Sequence, residues 1–308
     1  MLNPVHLRTL VAVIRAGSFA DAARQLGYTG SAVSQQIAAL ERSVRVPLFE
    51  RSAHSVRPTP AAEFLARRAR DSLTTLRALE DDVAGMAQGT VGRIRVGSFP
   101  TASERLLPDA LAHLREQHPA VEVLLDEGET DDLVHRLGDG EIDLALVYRY
   151  DLVPRPWPRS LGVRHLLREQ LVLLLPPGHP RSEGTLRLGD LRDEPWISTR
   201  EGTAGALCLT RLCSREGFEP RIAVRSNDYD VISAFVRAGL GIALVPALSH
   251  EPTDEVVARR VEDVTAHRHV SALHRSLRHN PAVAGAVDSL ERSAEHLIEL
   301  QPGVDRPE

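Results

Sequence analysis

The side chains best suited to contact another molecule lie along one face of a short segment near the N-terminus. Residues 30–44 have the periodicity of a helix whose apolar face carries Val33, Ile37, Leu40 and Val44. The opposite face has short polar or small side chains and ends in a basic one: Ser31, Ala32, Ser34, Gln35, Ala38 and Arg42. A DNA major groove admits one helix. From a helix in the groove, hydroxyl and amide side chains of this length reach base edges and phosphates. A three-helix bundle with an ordinary surface would show the same periodicity.

Hydroxyl, amide and aromatic side chains also gather where predicted strands lead into helices in the C-terminal two-thirds. The junctions are SFPTA (98–102), STREGT (198–203) and SNDY (226–229). Helix N-termini expose free N–H groups and a partial positive charge, so these junctions suit a carboxylate or a phosphate. We therefore predict a small anionic effector bound by Ser98, Phe99, Thr101, Ala102, Tyr148, Thr199, Thr203, Asn227, Tyr229 and Pro246. For each residue alone, helix capping explains the residue type at least as well.

Other reactive residues lack the spacing that catalysis or metal binding requires. Cys208 and Cys213 stand about 140° apart around a predicted helix, so they do not pair, and buried packing is their default role. No standard zinc spacing fits a looser histidine group, made up of His267, His269, His274 and His279. Since phosphate loops, nucleophile elbows and metal-binding helix motifs are also missing, the sequence predicts neither an enzyme nor a cofactor.

Two helices before the polar face must hold it in place. Residues 4–15 put their apolar side chains on one stripe, and Gly17 ends that helix. Ser18 caps a second helix, with Asp21 in a capping-box relation to it. A turn over residues 27–30 then leads into the third helix, which the pattern starts at Ser31.

The segment VPLFERSAHSVRPTP predicts a β-hairpin after the third helix. Its strands cover residues 48–51 and 55–57, with a turn over residues 52–54. Arg51, His54 and Arg57 lie on or near the tip, where they reach the phosphate backbone and position the protein without reading sequence. An ordinary exposed hairpin is the alternative.

From Thr59 to Gln88 the pattern is helical without a break and follows a heptad. Its positions, in steps of three and four, are Ala62, Leu65, Ala69, Ser72, Leu76, Leu79, Val83 and Met86. Such a seam, on a helix roughly 40 Å long, needs a partner to cover it. We predict homodimerisation through Leu65, Leu76, Leu79, Val83 and Met86, which presents two recognition helices to two half-sites. Packing against the chain's own C-terminal domain is the alternative.

From Gly92 onward, strands alternate with helices, which is typical of an α/β fold. The first set predicts an open parallel sheet with the strands IRVGSF, VEVLLDE and IDLALVY. A second set runs from RHLLREQLVLLLP to GIALVP, after which RHVSALHR returns to the first set and residues 281–300 close it. The result is two lobes joined by two crossings: lobe I at 90–161 and 269–300, lobe II at 162–268. Ligands of open α/β sheets bind at the carboxyl ends of strands, here between the lobes.

The run GSFADAARQLGYTGSAVSQQIAALERSVRVPLFERSAHSVRPTPAAEFL resembles the winged helix-turn-helix of LysR-type transcriptional regulators, and AGLGIALVP resembles a recurrent segment of their effector domain. The resemblance implies a periplasmic-binding-protein-like effector domain and a dimer or tetramer. It also implies that Ser31, Ser34 and Gln35 face the groove while Arg51 and Arg57 anchor the wing. Three residues depart from the family pattern, which has glutamine in place of Gly30 and glycine in place of Arg45 and Ala62.

Composition limits the class of protein. The 308 residues include 43% hydrophobic and 26% charged residues, which are globular values, and contain only two cysteines. Residues 1–70 carry ten arginines against four acidic residues, in a chain whose net charge is −5, so the basic part is typical of a polyanion partner. With no long apolar run and no secretory signal, we predict a cytoplasmic protein that does not enter membranes.

These observations together predict a ligand-responsive, sequence-specific DNA-binding regulator that is not an enzyme. Its domains are a winged helix-turn-helix (1–58), a linker helix (59–89) and an effector domain (90–308). Its partners are double-stranded DNA, the small anionic effector, further copies of itself in a dimer or tetramer, and RNA polymerase. Two alternatives remain: a soluble solute-binding or enzymatic α/β protein with an incidental helical N-terminal domain, and an architectural DNA binder that ignores ligands.

Overall fold

The N-terminal part of the chain folds into a helical domain with a small hairpin, which we call the head. The computed structural model describes residues 2–51, 56–88, 92–251, 255–275 and 281–307. In chain order the elements of this part are α1 (Pro4–Ala16), α2 (Phe19–Leu26), α3 (Gly30–Val44), β1 (Phe49–Arg51), β2 (Val56–Pro58) and α4 (Pro60–Gln88). The hairpin pairs Phe49 with Pro58 in antiparallel register, while its turn lies outside the described residues.

Local capping explains where the head helices begin and end. Ser18 Oγ accepts a hydrogen bond from the Asp21 N–H (3.0 Å), which confirms the predicted cap of α2. Thr29 Oγ1 accepts one from the Ala32 N–H (3.2 Å), so α3 starts at Gly30, one residue earlier than predicted. Gly17 ends α1 in the left-handed region (φ 68°), as predicted.

The inward stripe of α3 is confirmed. Val33, Ile37 and Leu40 are fully buried in one cluster with apolar residues of α1 and α2. Arg45 follows α3 in the left-handed region (φ 58°), where the family pattern has glycine. Among the described residues it is the only non-glycine residue with a positive φ.

The first part of α4 belongs to the head rather than to a free seam. Ala62, Ala66 and Ala69 are buried in the head's apolar cluster, and α4 packs along α1. The heptad interpretation was therefore wrong for Ala62 and Ala69, because alanines at these positions let α4 approach α1 closely. Leu65 is partly buried against the same cluster.

The part of the chain beyond the head forms an eight-stranded mixed sheet and a separate two-stranded parallel sheet, with helices packed around them. Its elements are β3 (Arg93–Ser98), α5 (Pro100–Arg105), α6 (Leu107–Gln117), β4 (Glu122–Glu127), α7 (Thr130–Gly138), β5 (Leu144–Tyr150) and β6 (Gly162–Leu175), then β7 (Pro195–Ser198), α8 (Ala204–Arg215), β8 (Arg221–Arg225), α9 (Tyr229–Arg237), β9 (Ala243–Pro246), β10 (Val257–Arg259), β11 (His267–His274), α10 (Pro281–Leu300) and β12 (Val304–Asp305). The main strand order is β10-β6-β11-β5-β3-β4.

The long strand β6 joins the two lobes. Its first part pairs with β11 in lobe I, and its last residues, 171–175, pair with β9 and β10 in lobe II. β3, β4 and β5 are parallel, as predicted, whereas β11 is antiparallel to both β5 and β6. The sheet of lobe I is therefore mixed and not purely parallel. The predicted lobe boundary at residue 162 falls at the start of β6, so residues 162–170, which were predicted in lobe II, pair in lobe I instead.

Each lobe has its own apolar core. The core of lobe I is centred on β3, β5, α6 and α10, and includes Leu146 and Leu290 at 0% exposure. In lobe II, Trp196 and Leu173 are buried with apolar residues of α8. Within the described residues, no helix combines the length and apolarity that a membrane span requires.

Candidate DNA-binding face and inter-lobe cleft

The polar face of α3 points away from the head's core. Ser31, Gln35 and Arg42 are exposed, and Ala32, Ser34 and Ala38 are partly exposed. On the inner side, Thr9 Oγ1 donates to Gln36 Oε1 (2.5 Å), which fixes α3 against α1. The structure therefore presents the predicted recognition residues together on one surface.

The hairpin is tied to α3 through a carboxylate. Glu41 Oε1 accepts hydrogen bonds from the Leu48 N–H (2.8 Å) and the Phe49 N–H (3.3 Å), so the first strand starts at a fixed place beside α3. Arg57, on β2, is exposed. His54 and the side chain of Arg51 lie outside the described residues.

Seven of the ten predicted effector residues line one small cavity between the lobes. These seven are Phe99, Thr101, Tyr148, Thr199, Thr203, Asn227 and Tyr229. The cavity encloses about 50 Å³, which is room for about three or four water-sized groups. A larger molecule requires the lobes to part.

The other three predicted residues lie behind this cavity. Ser98 is fully buried and donates to the Phe99 carbonyl. Ala102 is packed in the core of lobe I, and Pro246 pairs with Leu171 on β6. In this arrangement they support the wall of the cavity and do not line it.

The floor of the cavity holds a buried arginine that sequence reasoning missed. Arg268, at 1% exposure, donates from Nε to Glu169 Oε1 (2.5 Å) on the neighbouring strand. Its guanidinium lies over the rings of Phe99 (5.2 Å) and Tyr148 (5.3 Å). Its Nη2 is buried and has no hydrogen-bond partner among the residues that the structure describes.

The unpartnered Nη2 matters because a buried donor without an acceptor is costly. Burial disfavours the charged guanidinium, but the carboxylate of Glu169 and the hydroxyls of Tyr150 and Tyr229 outweigh it and raise the pKa of Arg268 above its usual value. The cation is therefore permanent, and one of its donors remains open at the cavity floor.

Glu129 bridges the two lobes at the cavity mouth. It precedes α7 in lobe I and accepts from Asn227 Nδ2 of lobe II (3.3 Å) and from the Tyr148 hydroxyl (3.3 Å). Burial, followed by the charge of Glu129, raises the pKa of Tyr148, so its hydroxyl stays protonated. Burial likewise raises the pKa of Tyr229.

One predicted cavity residue, Thr203, also serves as a helix cap. Thr203 Oγ1 accepts from the Ala206 N–H (3.3 Å) at the start of α8 and donates to the Arg200 carbonyl (2.7 Å). Thr199 Oγ1 lies 2.7 Å from the Thr203 hydroxyl. The capping interpretation is thus correct for Thr203. Because the Thr203 proton goes to the Arg200 carbonyl, Thr199 donates to Thr203 and keeps only acceptor capacity towards the cavity.

The remaining reactive residues are held by packing or by one another. Cys208 and Cys213 are free and buried on α8, and burial raises the pKa of each thiol to about 12. His269 Nε2 lies 2.6 Å from Asp151 Oδ1, and His267 donates its backbone N–H to Asp151 (2.8 Å). These contacts tie β11 to the end of β5.

Known proteins match the chain along most of its length. The family model "Bacterial regulatory helix-turn-helix protein, lysR family" matches residues 4–63, and "LysR substrate binding domain" matches residues 87–295. The HTH-type transcriptional regulator AlsR of Bacillus subtilis is 27% identical over 90% of this chain and 92% of its own length. The small neutral protease regulatory protein of Streptomyces coelicolor is 33% identical over 84% of this chain and 77% of its own.

A solved structure also resembles this one. The full-length regulator CbnR, crystallised with its target DNA, covers 95% of this chain and 100% of its own, with 26% identity and a TM-score of 0.56.

Proposed function

We propose a specific role for this chain from one premise: the chain belongs to the family of LysR-type transcriptional regulators. As a member it is a DNA-binding regulator with an effector domain, in a family of regulators and not of enzymes. The finer proposal is a dimer or tetramer that binds an interrupted palindrome and responds to a small anionic effector between its lobes. RNA polymerase is the partner whose access to DNA then changes.

The DNA-binding part of the proposal depends on the exposed face of α3. Its short side chains, with Gln35 and Arg42 at its centre and end, suit base edges in the major groove. Arg57 on the hairpin suits a phosphate. The proposed roles divide accordingly: Gln35 reads sequence, whereas Arg57 contributes affinity for any duplex.

This division is tested with Gln35→Ala and Arg57→Ala in the full-length protein. The duplexes are a fragment recovered by genomic pull-down with the intact protein and a random duplex of equal length. We expect Gln35→Ala to lower the affinity ratio between the two duplexes. Arg57→Ala should weaken both similarly and reduce the salt slope by about 1.

Arg115→Ala is the matched control, because it removes an exposed arginine from α6, outside the head. It should leave the affinity ratio and the salt slope unchanged. If Gln35→Ala and Arg57→Ala behave alike, the proposed roles are wrong. If the parent protein shows no salt-dependent duplex affinity, the regulator proposal fails with them.

The effector part of the proposal depends on the open Nη2 of Arg268. A carboxylate is the natural acceptor for a guanidinium, since it accepts charge-assisted hydrogen bonds in a planar geometry. The hydroxyl of Thr101 and the start of α8 line the same cavity and add donors. The observation that carries the proposal is this single unsatisfied donor, buried at the floor between the lobes.

A thermal-shift screen of the full-length protein tests this assignment. The probes are small mono- and dicarboxylic acids, each compared with its primary amide. We expect at least one acid to raise the melting temperature while its amide does not. The shift should be lost in Arg268→Lys, which keeps the positive charge beside Glu169 but not the planar fork. Equal shifts for acids and amides, or a shift that survives Arg268→Lys, would contradict an anionic effector held by Arg268.

The exposed second half of α4 supports the proposed dimer. Leu79 and Val83 are 58% and 59% exposed, which is unusual for two large apolar residues one turn apart. Leu76 is partly exposed, and the side chain of Met86 lies outside the described residues. We place the domain boundaries at residues 58 and 89, on either side of this linker helix. Lobe closure would then change the angle between paired heads and the bend of the DNA.

A further inference from the structure

A loop of lobe I is inserted between two helices of the head in the same chain. The loop covers residues 138–141, between α7 and β5, and its centre is Asp139, whose side chain is only 10% exposed. Asp139 Oδ2 accepts from Arg15 Nη1 of α1 (3.1 Å), and Asp139 Oδ1 accepts from Arg70 Nε of α4 (2.8 Å). Glu141 Oε1 accepts a second bond from Arg15 Nη1 (2.9 Å). We call this set of contacts the joint.

Backbone contacts tighten the joint. Arg77 of α4 donates to the Gly140 carbonyl. Arg275 Nη1 donates to the Gly138 carbonyl (2.7 Å), while its Nη2 pairs with Asp71 of α4 (2.8 Å). Gly140 has φ +71°, and a Cβ there would lie 2.2 Å from the Thr74 hydroxyl. Because only glycine fits this approach, the loop is closely fitted to α4.

The joint leaves the DNA-binding face free. Arg15 lies near the C-terminal end of α1, and its Nη2 donates to Gln25 of α2 (2.8 Å). The joint is therefore bonded to both α1 and α2 of the head. Ser31, Gln35 and Arg42 remain exposed on α3. The joint therefore fixes the direction of α3 relative to lobe I without covering it.

The two elements that flank the joint, α7 and β5, also reach the cavity between the lobes. α7 begins directly after Glu129 at the cavity mouth and ends at Gly138 in the joint. A helix of nine residues is about 13 Å long. β5 starts just after the joint and carries Tyr148 and Tyr150 at the cavity. A movement of lobe I at the cavity is thus carried to the loop by one helix and one strand.

We propose that the 138–141 loop is the joint through which lobe I orients the DNA-binding head of its own chain, with Asp139 as the positioning residue. Because the regulatory meaning of the joint depends on the proposed function, the joint itself is tested without DNA and without an effector. Neutralising Asp139 removes the ion pair with Arg70 and one of the two ion pairs of Arg15, so the head should reorient more freely while each domain stays folded.

The test measures the distance between spin labels on the head and on lobe I in the full-length protein. Ser43→Cys and Glu116→Cys place labels on exposed positions of α3 and α6. The native thiols are buried and stay protonated, so they react slowly. Labelled chains are reassembled with an excess of unlabelled protein, so that only distances within one chain are read.

We expect one narrow distance distribution in the parent and a clearly broader one in Asp139→Asn. Arg15→Gln should also broaden it, and Arg70→Gln/Asp139→Asn should be no broader than Asp139→Asn alone, because Arg70 acts in the joint through its contact with Asp139. Asp109→Asn, which neutralises a carboxylate on α6 away from the head, should match the parent. A parental width in folded Asp139→Asn overturns the joint. If Asp139→Asn fails to fold, parental widths in both Arg15→Gln and Arg70→Gln overturn it equally.

A second comparison tests transmission from the cavity. Glu129→Leu removes the bridge to Asn227, and should shift the label distance in the parent but not in Asp139→Asn. An equal shift in both backgrounds overturns transmission through the joint. A failure of the proposed function looks different, because it appears as a loss of duplex affinity in the parent and leaves the label distances untouched.

Discussion

The buried pair of Glu169 and Arg268 yields a quantitative prediction for Glu169→Gln. The two side chains are 0% and 2% exposed. The carboxylate accepts from Arg268 Nε at one oxygen (2.5 Å) and from the Leu248 N–H at the other (2.8 Å). Glutamine offers one acceptor and one donor, so one of these two buried N–H groups must then face another donor.

The magnitude follows from the burial of both partners. Removing one member of a buried ion pair costs about 3–5 kcal/mol, because the other charge is left without compensation. In a domain of this size, a loss of 1 kcal/mol lowers the melting temperature by about 2–4 °C. We therefore expect the effector-domain transition of Glu169→Gln to fall by about 6–20 °C.

The assay is differential scanning calorimetry of the full-length protein with Glu169→Gln, Arg268→Met and the double variant. Each single variant leaves a buried group unpaired, whereas the double variant removes both charges. The double variant should therefore be more stable than the sum of the single losses predicts, by about 1–3 kcal/mol. Glu255→Gln, which removes an exposed carboxylate paired with Arg237, is the control and should change stability by less than about 0.5 kcal/mol.

Two results would refute this reasoning. A loss below about 1 kcal/mol for Glu169→Gln would mean that water or a rearranged side chain compensates Arg268. Strict additivity in the double variant would mean that the two residues do not depend on each other. In either case the open Nη2 would no longer be a reason to place an anion at the cavity floor.

Two further predictions concern backbone strain and buried thiols. Arg45→Gly should stabilise the protein by about 0.5–1 kcal/mol in urea unfolding, because Arg45 holds a left-handed conformation that glycine adopts without strain; a loss of stability would contradict this. Burial raises the pKa of Cys208 and Cys213 to about 12 in the folded protein, from an ordinary value of 9.0. Above pH 9 the unfolded chain therefore binds fewer protons than the folded one, and the free energy of unfolding falls as the pH rises. Urea unfolding at pH 8 and pH 10 should show a loss about 2–3 kcal/mol larger in the parent than in Cys208→Ala/Cys213→Ala; equal losses would contradict it.

Local patterns were enough to predict most elements of the fold. The stripe of α3, the cap at Ser18 and the alternation of strands with helices depend on neighbours within a few residues, and the structure agrees with each. The same reasoning failed for Ala62 and Ala69. A heptad pattern indicates only that one side of a helix is apolar, not which partner covers it. At Ala62 and Ala69 that partner is α1 of the same chain.

Long-range pairing explains what the sequence did not reveal about the cavity. Seven predicted residues converge there because helix starts are recognisable from sequence and meet at one edge of an α/β sheet. Arg268 was missed because a basic residue in a predicted strand is normally assigned to the solvent side, whereas β11 is buried on both faces. Its partner is Glu169, 99 residues away, and no local pattern marks such a pair.

The sequence did not predict the joint either, because Arg15 and Asp139 are 124 residues apart in the chain. The packing of α7 explains why the joint lies at the end of that helix. Leu133 and Leu137 of α7 are fully buried against Ile142, Ala145 and Leu273, so the helix cannot slide on the sheet. At Gly97 of β3 a Cβ would lie 2.6 Å from both Leu133 and Ile142, which shows how closely α7 and the start of β5 press on the sheet. A helix held this firmly moves only together with its lobe. A change at its cavity end is therefore passed on to residues 138–141, which meet the head through Arg15 and Arg70, unless the contacts of Asp139 break.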